Sequence, residues 1–349
     1  MKLKNYSLIF GMLLVLLIAT CVLSICIGAV KINVVELGSI VAYRMGLSQD
    51  MDFQVQQEAV FFTLRLPRVI LGVLVGSTLA ISGATMQGLF RNPLAEPGLI
   101  GISSGASLFA VIMIVLEARF FSFMTAALGY YALAIAAFIG ACITTFIVYR
   151  IAVRKGKADI TTLLLAGIAI NALAGSFTGL LVSSASDEQL RNITFWNMGS
   201  LGGASWNTIS MVTPFVVIPL ISLPFFSKSL NAMSLGESQA GHMGVNVNLV
   251  KRVTIVLATL GVGASVAVSG IIGFIALVIP HILRMAFTAD NRLVLPGSAL
   301  LGATVLVLSD LIARTLVAPS ELPIGIVTAI IGSPVFIYII LGERRKRRL

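Results

Sequence analysis

Ten runs of mostly apolar residues, at about 8–30, 66–89, 97–116, 124–149, 160–183, 207–226, 250–269, 271–287, 294–317 and 323–341, leave this chain of 349 residues little choice of fold. A helix needs about 20 apolar residues to cross the hydrocarbon core of a bilayer, and there every backbone N–H and C=O must find its partner inside the protein. The runs therefore predict an all-α, polytopic membrane protein of about ten transmembrane helices, one domain covering residues 1–349. The eighth run is short and the third begins inside an interrupted stretch, so nine spans is the alternative count. Hydrophobic residues at 58%, charged residues at 11% and a mean hydropathy of +1.02 fit a chain whose main solvent is lipid.

A formal charge of +10 would suggest nucleic acid in a soluble protein, but here the basic residues sort by topology. With both termini cytoplasmic, the inner segments hold Lys2, Lys4, Arg91, Arg150, Arg154, Lys155, Lys157, Lys228, Lys251, Arg252, Arg284, Arg292, Arg344, Arg345, Lys346, Arg347 and Arg348. Lys31, Arg44, Arg65, Arg68, Arg119, Arg191 and Arg314 fall on or near the outer side, a distribution that obeys the positive-inside rule. The tail GERRKRRL then reads as an anchor to the inner lipid surface, and no nucleic-acid partner is expected. The first run is too long for a signal-peptide core and lacks an A-x-A-like site. Cys21, Cys26 and Cys142 all lie within spans, as buried thiols with no disulfide framework.

Two prolines and three glycines interrupt the apolar sequence between Arg91 and Ser107, RNPLAEPGLIGISSGAS. Broken backbone at membrane depth is tolerated only where protein or a water-filled path covers it, and transporters place substrate paths there. Val75–Gly83 (VGSTLAISG) and Val262–Gly270 (VGASVAVSG) are identical at five of nine positions, in spans running in opposite directions, which suggests an inverted internal repeat. Chance similarity between small-residue helices is the alternative. Asp310 and Arg314 stand four residues apart and can pair along one helix face. No G-x-x-x-x-G-K-S/T occurs, so ATP, if used, is hydrolysed by another chain and the protein is not itself an enzyme. Residues 227–248 form an inner segment with the makings of two short helices, suited to receive such a partner. His242 and His281 have no cysteine nearby, and no metal site is expected.

The motifs LRLPR (Leu64–Arg68), SGATMQGLFRNPLAEPGLIGISSGA (Ser82–Ala106), LLLAG (Leu163–Gly167), MGSLGGASW (Met198–Trp206), LNAMSLGESQAGHMGV (Leu230–Val245), SGIIGFIALVIPHILR (Ser269–Arg284) and ELPIGIVTAIIGSPVFIYIIL (Glu321–Leu341) occur in order. On these the chain resembles, over nearly its whole length, the permease subunits of type II bacterial ATP-binding-cassette importers for iron chelates, haem and vitamin B12. The resemblance implies a homodimer in the cytoplasmic membrane, two ATPase subunits that bind ATP and Mg, and a periplasmic or extracellular binding protein, with no cofactor in this chain. It assigns Arg65, Arg68 and Arg314 to docking of the binding protein, Asn92 and Leu94 to the cytoplasmic gate with Thr161 at a second gate position, and Leu235, Gly236, Glu237 and Ala240 to coupling with the ATPase.

The form RNPLA-x-PGLIG-x-SSGA resembles haem permeases more than siderophore ones, although vitamin B12 permeases share NPLAEPG. Haem is the expected cargo on that resemblance, with cobalamin and ferric siderophores as alternatives. A passive channel or membrane scaffold is the reading of a different class, and the inner helix pair argues against it. The spans hold neither a His/Glu zinc motif nor a Ser-His pair for an intramembrane enzyme.

Overall fold

The computed structural model describes residues 6–48, 52–129, 131–154 and 156–346. Lys2, Lys4, Lys155, Arg347 and Arg348 of the charge count lie outside the described residues, as do the side chains of Arg119, Arg154, Arg344, Arg345 and Lys346. In chain order the helices are α1 (Tyr6–Cys26), α2 (Val34–Arg44), α3 (Val55–Val60), α4 (Leu66–Phe90), α5 (Ile102–Leu116), α6 (Ser122–Leu128), α7 (Tyr131–Ala152) and α8 (Ile160–Val182). They continue as α9 (Asp187–Met198), α10 (Trp206–Ser222), α11 (Ser227–Ser234), α12 (Glu237–His242), α13 (Val247–Ser269), α14 (Ile275–Ala286), α15 (Asn291–Thr315) and α16 (Ile324–Lys346). The only strands among the described residues are a two-residue antiparallel ribbon between α7 and α8, pairing Val153 with Ala158.

Seven helical stretches among the described residues are long and apolar enough to cross a membrane, and three apolar helices are shorter, in α5, α14 and α16. Together they match the ten runs of the sequence. At 1.5 Å per residue the 15 residues of α5 reach only about 22 Å and the 12 of α14 about 18 Å, less than the bilayer core. Each is entered through irregular backbone: α5 after Arg91, which closes α4 in the left-handed region (φ 50°), and α14 after Gly270 and Phe274 (φ 69° and 68°). The polar stretches between apolar runs are not plain loops, since 31–57 holds α2 and the start of α3 and 184–206 holds α9.

The second run also begins earlier than its composition suggests. Helical backbone extends back to Val55 through a π turn at Phe61–Arg65, placing LRLPR inside a continuous helix. Pro67 has no N–H and would crowd the carbonyl four residues earlier in an α-helix, and the wider π turn directly before α4 relieves that conflict.

Burial separates the helices by role. The apolar windows of α4 and α13 are 83% and 72% buried, against 22% for α8, so α4 and α13 form the centre while α8 lies open. Central packing rests on glycine. A Cβ on Gly83 would overlap the Ala276 carbonyl of α14, and one on Gly76 would meet the Gly302 carbonyl of α15, so backbones approach to distances only glycine allows. The two repeat-like segments lie on α4 and α13, which pack together and run in opposite directions: α4 starts near the end of α15, at the same end of the bundle where Ser269 meets Ser200. Their matched last glycines differ locally, because Gly83 is inside α4 whereas Gly270 terminates α13.

Tyr6 at the start of α1 donates to Asp290 at the start of α15 (3.2 Å). At the opposite end of the bundle Ile324, which opens α16, bonds the Gly199 carbonyl. The first and last described helices therefore leave the bundle on one side, as an even number of crossings requires.

Candidate translocation path and its two faces

The end of the bundle that the charge count places outside holds a cavity of about 830 Å³, lined by residues that include Ser24, Gly28, Arg65, Arg68, Asp310, Arg314 and Glu321. All three arginines expected to dock a binding protein meet here, but their hydrogen bonds point into the chain. Arg68 grips Asp310 of α15 through Nε (3.0 Å to each carboxylate oxygen) and Nη2 (2.9 Å), and reaches Glu321 through Nη1 (2.8 Å) and Nη2 (2.9 Å). Asp310 is 2% exposed, whereas the Glu321 side chain is 45% exposed at the rim. The Arg68 hydrogen bonds hold the Glu321 carboxyl below the usual carboxylate range. Arg314 Nε stands 3.7 Å from Asp310, so the four-residue spacing does make a pair, secondary to the one Arg68 makes.

Arg65 and Arg314 perform a different local task. α1 ends at Cys26 with its last carbonyls unsatisfied, as every helix end does. Arg65 donates to the carbonyls of Ile25, Cys26 and Val30, and Arg314 to the carbonyl of Ser24, so two cations cap the negative end of the helix dipole. Gly28 belongs there because a Cβ would touch both guanidinium groups. Arg65 is only 6% exposed as a result.

At the opposite end, Asn92 follows α4 and its Oδ1 accepts from the Leu94 N–H (2.9 Å), a tight turn that leaves Leu94 44% exposed. Thr161 is exposed in the first turn of α8, on a separate element at the same end. Thr161, Leu165, Ile168, Ala172, Ser176 and Gly179 are all exposed at three- and four-residue spacing, which makes one open face of α8 with small side chains toward its outer half. The interrupted stretch is clasped to α8. Asn171 Nδ2 donates to the Gly98 carbonyl (3.1 Å), Ser104 Oγ donates to Asn171 Oδ1, and a Cβ on Gly167 would overlap the Leu99 carbonyl.

The segment 227–248 forms the two short helices α11 and α12, separated by Gly236 at φ 124°. Leu230 and Met233 anchor it in the core, and Leu235 and Met243 stand 63% and 64% exposed on its free side. Two of the expected coupling residues face inward. Ala240 is fully buried, and the Glu237 carboxylate accepts from Lys251 Nζ at 2.6 Å. The free side is thus built by Leu235, Gly236 and Met243, with Glu237 half exposed. His242 is exposed on α12 and His281 is buried in α14. Among the described residues no group of three or more His, Cys, Asp and Glu side chains could hold a metal ion.

Sequence reading passed over Glu321, Asn171 and Lys251. Glu321 was visible as the acidic residue opening ELPIG, and Lys251 as a cation whose following helix turns are apolar. Nothing local marks Asn171, whose partner Gly98 is 73 residues away.

A bundle of ten apolar helices with two broken entries, a charged cavity at one end and a short helix pair at the other defines a transmembrane permease. The chain belongs to the FecCD transport family, whose model matches residues 16–342, and is the permease of an ABC importer, a class in which ATP hydrolysis sits on partner chains. It is 46% identical over 292 residues to the hemin transport system permease protein HmuU of Yersinia pestis, covering 82% of this chain and 85% of that one. It is 42% identical over 281 residues to the vitamin B12 import system permease protein BtuC of Vibrio vulnificus, covering 80% and 81%. A solved metal-chelate type ABC transporter in an inward-facing conformation superposes with a TM-score of 0.82 at 31% identity, covering 96% of this chain and 99% of that one.

Proposed function

We propose that this chain moves haem across the cytoplasmic membrane, as one of two identical permease subunits with both termini cytoplasmic, receiving cargo from a soluble binding protein and driven by two ATPase subunits that bind ATP and Mg. The observation that carries the haem reading is the 46% identity to a hemin permease. The motif RNPLAEPGLIGISSGA supports it from within the chain. Cobalamin is the second reading, favoured by the 42% identity to a B12 permease over a similar share of the chain.

Several features of the geometry favour this assembly. The open face of α8, with its small outer residues, suits a path shared with a second copy and wide enough for a bulky chelate. Asn92, Leu94 and Thr161 share the other end of the bundle, which suits closure of that path toward the cytoplasm with Asn92 and Leu94 as the main gate. At the outer cavity Arg68 is the docking arginine nearest the rim, where a charge steers a partner's approach and orientation more than it adds affinity. Arg65 and Arg314 stand behind it, holding the end of α1. On the inner side Leu235, Gly236 and Glu237 offer the ATPase an apolar contact with an acidic edge, and Ala240 supports it from beneath.

Two experiments address this reading. Proteoliposomes holding the permease with its ATPase and binding protein are expected to show ATP-driven uptake of haem, with cobalamin and a ferric siderophore as comparisons. Uptake of cobalamin alone would replace the cargo and keep the machine, and no ATP-dependent uptake of any of the three would defeat the importer reading for this chain. Leu235→Asp is expected to weaken ATPase binding by on the order of tenfold or more, because it puts a charge into an apolar contact. It is a cleaner probe than Gly236→Trp, which would also strain a backbone at φ 124°. A pull-down in detergent with unchanged ATPase retention would move the contact elsewhere.

A further inference from the structure

Lys251 lies one turn into α13 with its side chain 4% exposed. Its ammonium makes two short bonds to two other elements: 2.6 Å to Glu237 Oε2 at the start of α12, and 2.7 Å to the carbonyl of Ala158 in the ribbon before α8. The next residue, Asp159, caps α8, its carboxylate accepting from the Thr162 N–H and Oγ1 at 2.7 Å each. Thr161 is in that same turn. Leu89 and Phe90, the last residues of α4 before the Asn92 turn, line a small void together with Ala158, Asp159 and Lys251. One buried cation thus stands among the coupling helix, the first turn of α8 and the inner end of α4.

Stability alone does not account for a charge in this place. Withdrawing an ammonium from water costs several kcal/mol, and an apolar side chain of similar length would fill the volume as well. What an apolar residue would not supply is a directional link. Both bonds are short, and the ammonium that makes them is itself buried, so the link is directional where van der Waals contacts would let the elements slide. Glu237 is the first residue of α12, so a displacement of that helix pulls on the ammonium directly.

We propose that Lys251 is a positioning residue that carries movement of α12 to the first turn of α8 and the end of α4, and so links the ATPase contact to the inner gate. This rests on the ATP-driven importer reading, and its test has a readout that does not depend on uptake.

The complete complex of permease, ATPase and binding protein would be compared as wild type, Lys251→Met, Glu237→Gln and the double variant. Amide hydrogen exchange would be followed across residues 156–163 and across α12, with and without nucleotide, alongside cargo moved per ATP hydrolysed. In the wild type, nucleotide is expected to change exchange in both segments. In Lys251→Met the change at α12 should persist while that at 156–163 disappears, and cargo per ATP should fall about tenfold. At 156–163 the double variant should respond as Lys251→Met does, because Glu237→Gln weakens the other end of a link that Lys251→Met has already removed.

A nucleotide response at 156–163 that survives Lys251→Met, or that is absent from the wild type, would overturn the proposal. If the wild type couples the two segments but moves no cargo, the transport reading falls and the link stands. Should Lys251→Met fail to assemble, Lys251→Gln removes the charge and keeps an N–H donor on a side chain one atom shorter. A partial loss of the response at 156–163 is then expected, and a full wild-type response would count against the link.

Discussion

Arg68→Met is expected to destabilise the permease by about 3–5 kcal/mol, the cost of leaving one partner of a buried ion pair unmatched. Three hydrogen bonds from Arg68 satisfy Asp310, which is 2% exposed, and the remaining cation near it, Arg314, approaches only to 3.7 Å. Asp310→Leu in the same background is expected to recover most of the loss, because it removes the orphaned carboxylate together with its partner. Glu321→Gln should cost under about 1 kcal/mol, since that carboxylate is close to half exposed and water can replace the bond. Thermal unfolding midpoints in detergent would rank the variants, and a milder effect for Arg68→Met than for Glu321→Gln would contradict the geometry. The ranking also bears on docking: a charge reversal at Arg68 alters the fold along with any partner contact, so lost uptake needs a stability control before it is assigned to the binding protein.

Gly83→Ala should be the most damaging single-methyl change in the molecule's centre. The new Cβ would overlap the Ala276 carbonyl, and backbone cannot swing aside as a flexible side chain can. A loss at or beyond the upper end of the ~1–3 kcal/mol typical of overpacking is expected, with α4 and α14 driven apart. Gly175→Ala is the control. It lies on exposed α8 with nothing within 4 Å of its Cβ, where alanine is favoured over glycine in a helix by up to about 1 kcal/mol. Expression yield and unfolding midpoint of the pair in detergent would decide, and a Gly83→Ala variant as stable as Gly175→Ala would show that the α4–α14 contact is looser than described.

The glycines and charges also show how far sequence reading reaches. The broken stretch Arg91–Ser107 was legible because proline and glycine act on their own backbone, and the structure ends α4 and starts α5 inside it. The two short inner helices were legible because glycines bracket apolar positions over a few residues. The early start of the second long helix was not, because residues 55–65 are less apolar than the span they extend and the π turn that accommodates Pro67 leaves no compositional trace. Charge counting grouped Arg65, Arg68 and Arg314 at one end of the bundle, where the structure brings them together, but counting could not reveal that two of them cap α1.

Membrane residence, the number of apolar helices, the interrupted entry to α5 and the family were determined by the sequence alone. Each depends on segments of some twenty residues, in which composition sets whether a helix crosses lipid and where it must break. Only the tertiary structure decided what each charge does: Arg68 meets Asp310 across 242 residues of chain, Arg314 meets Ser24 across 290, and Lys251 meets Ala158 across 93. The reason is physical. A buried charge must be satisfied by whichever polar group the packing brings within about 3 Å, and that packing is set by glycine contacts between helices far apart in the chain.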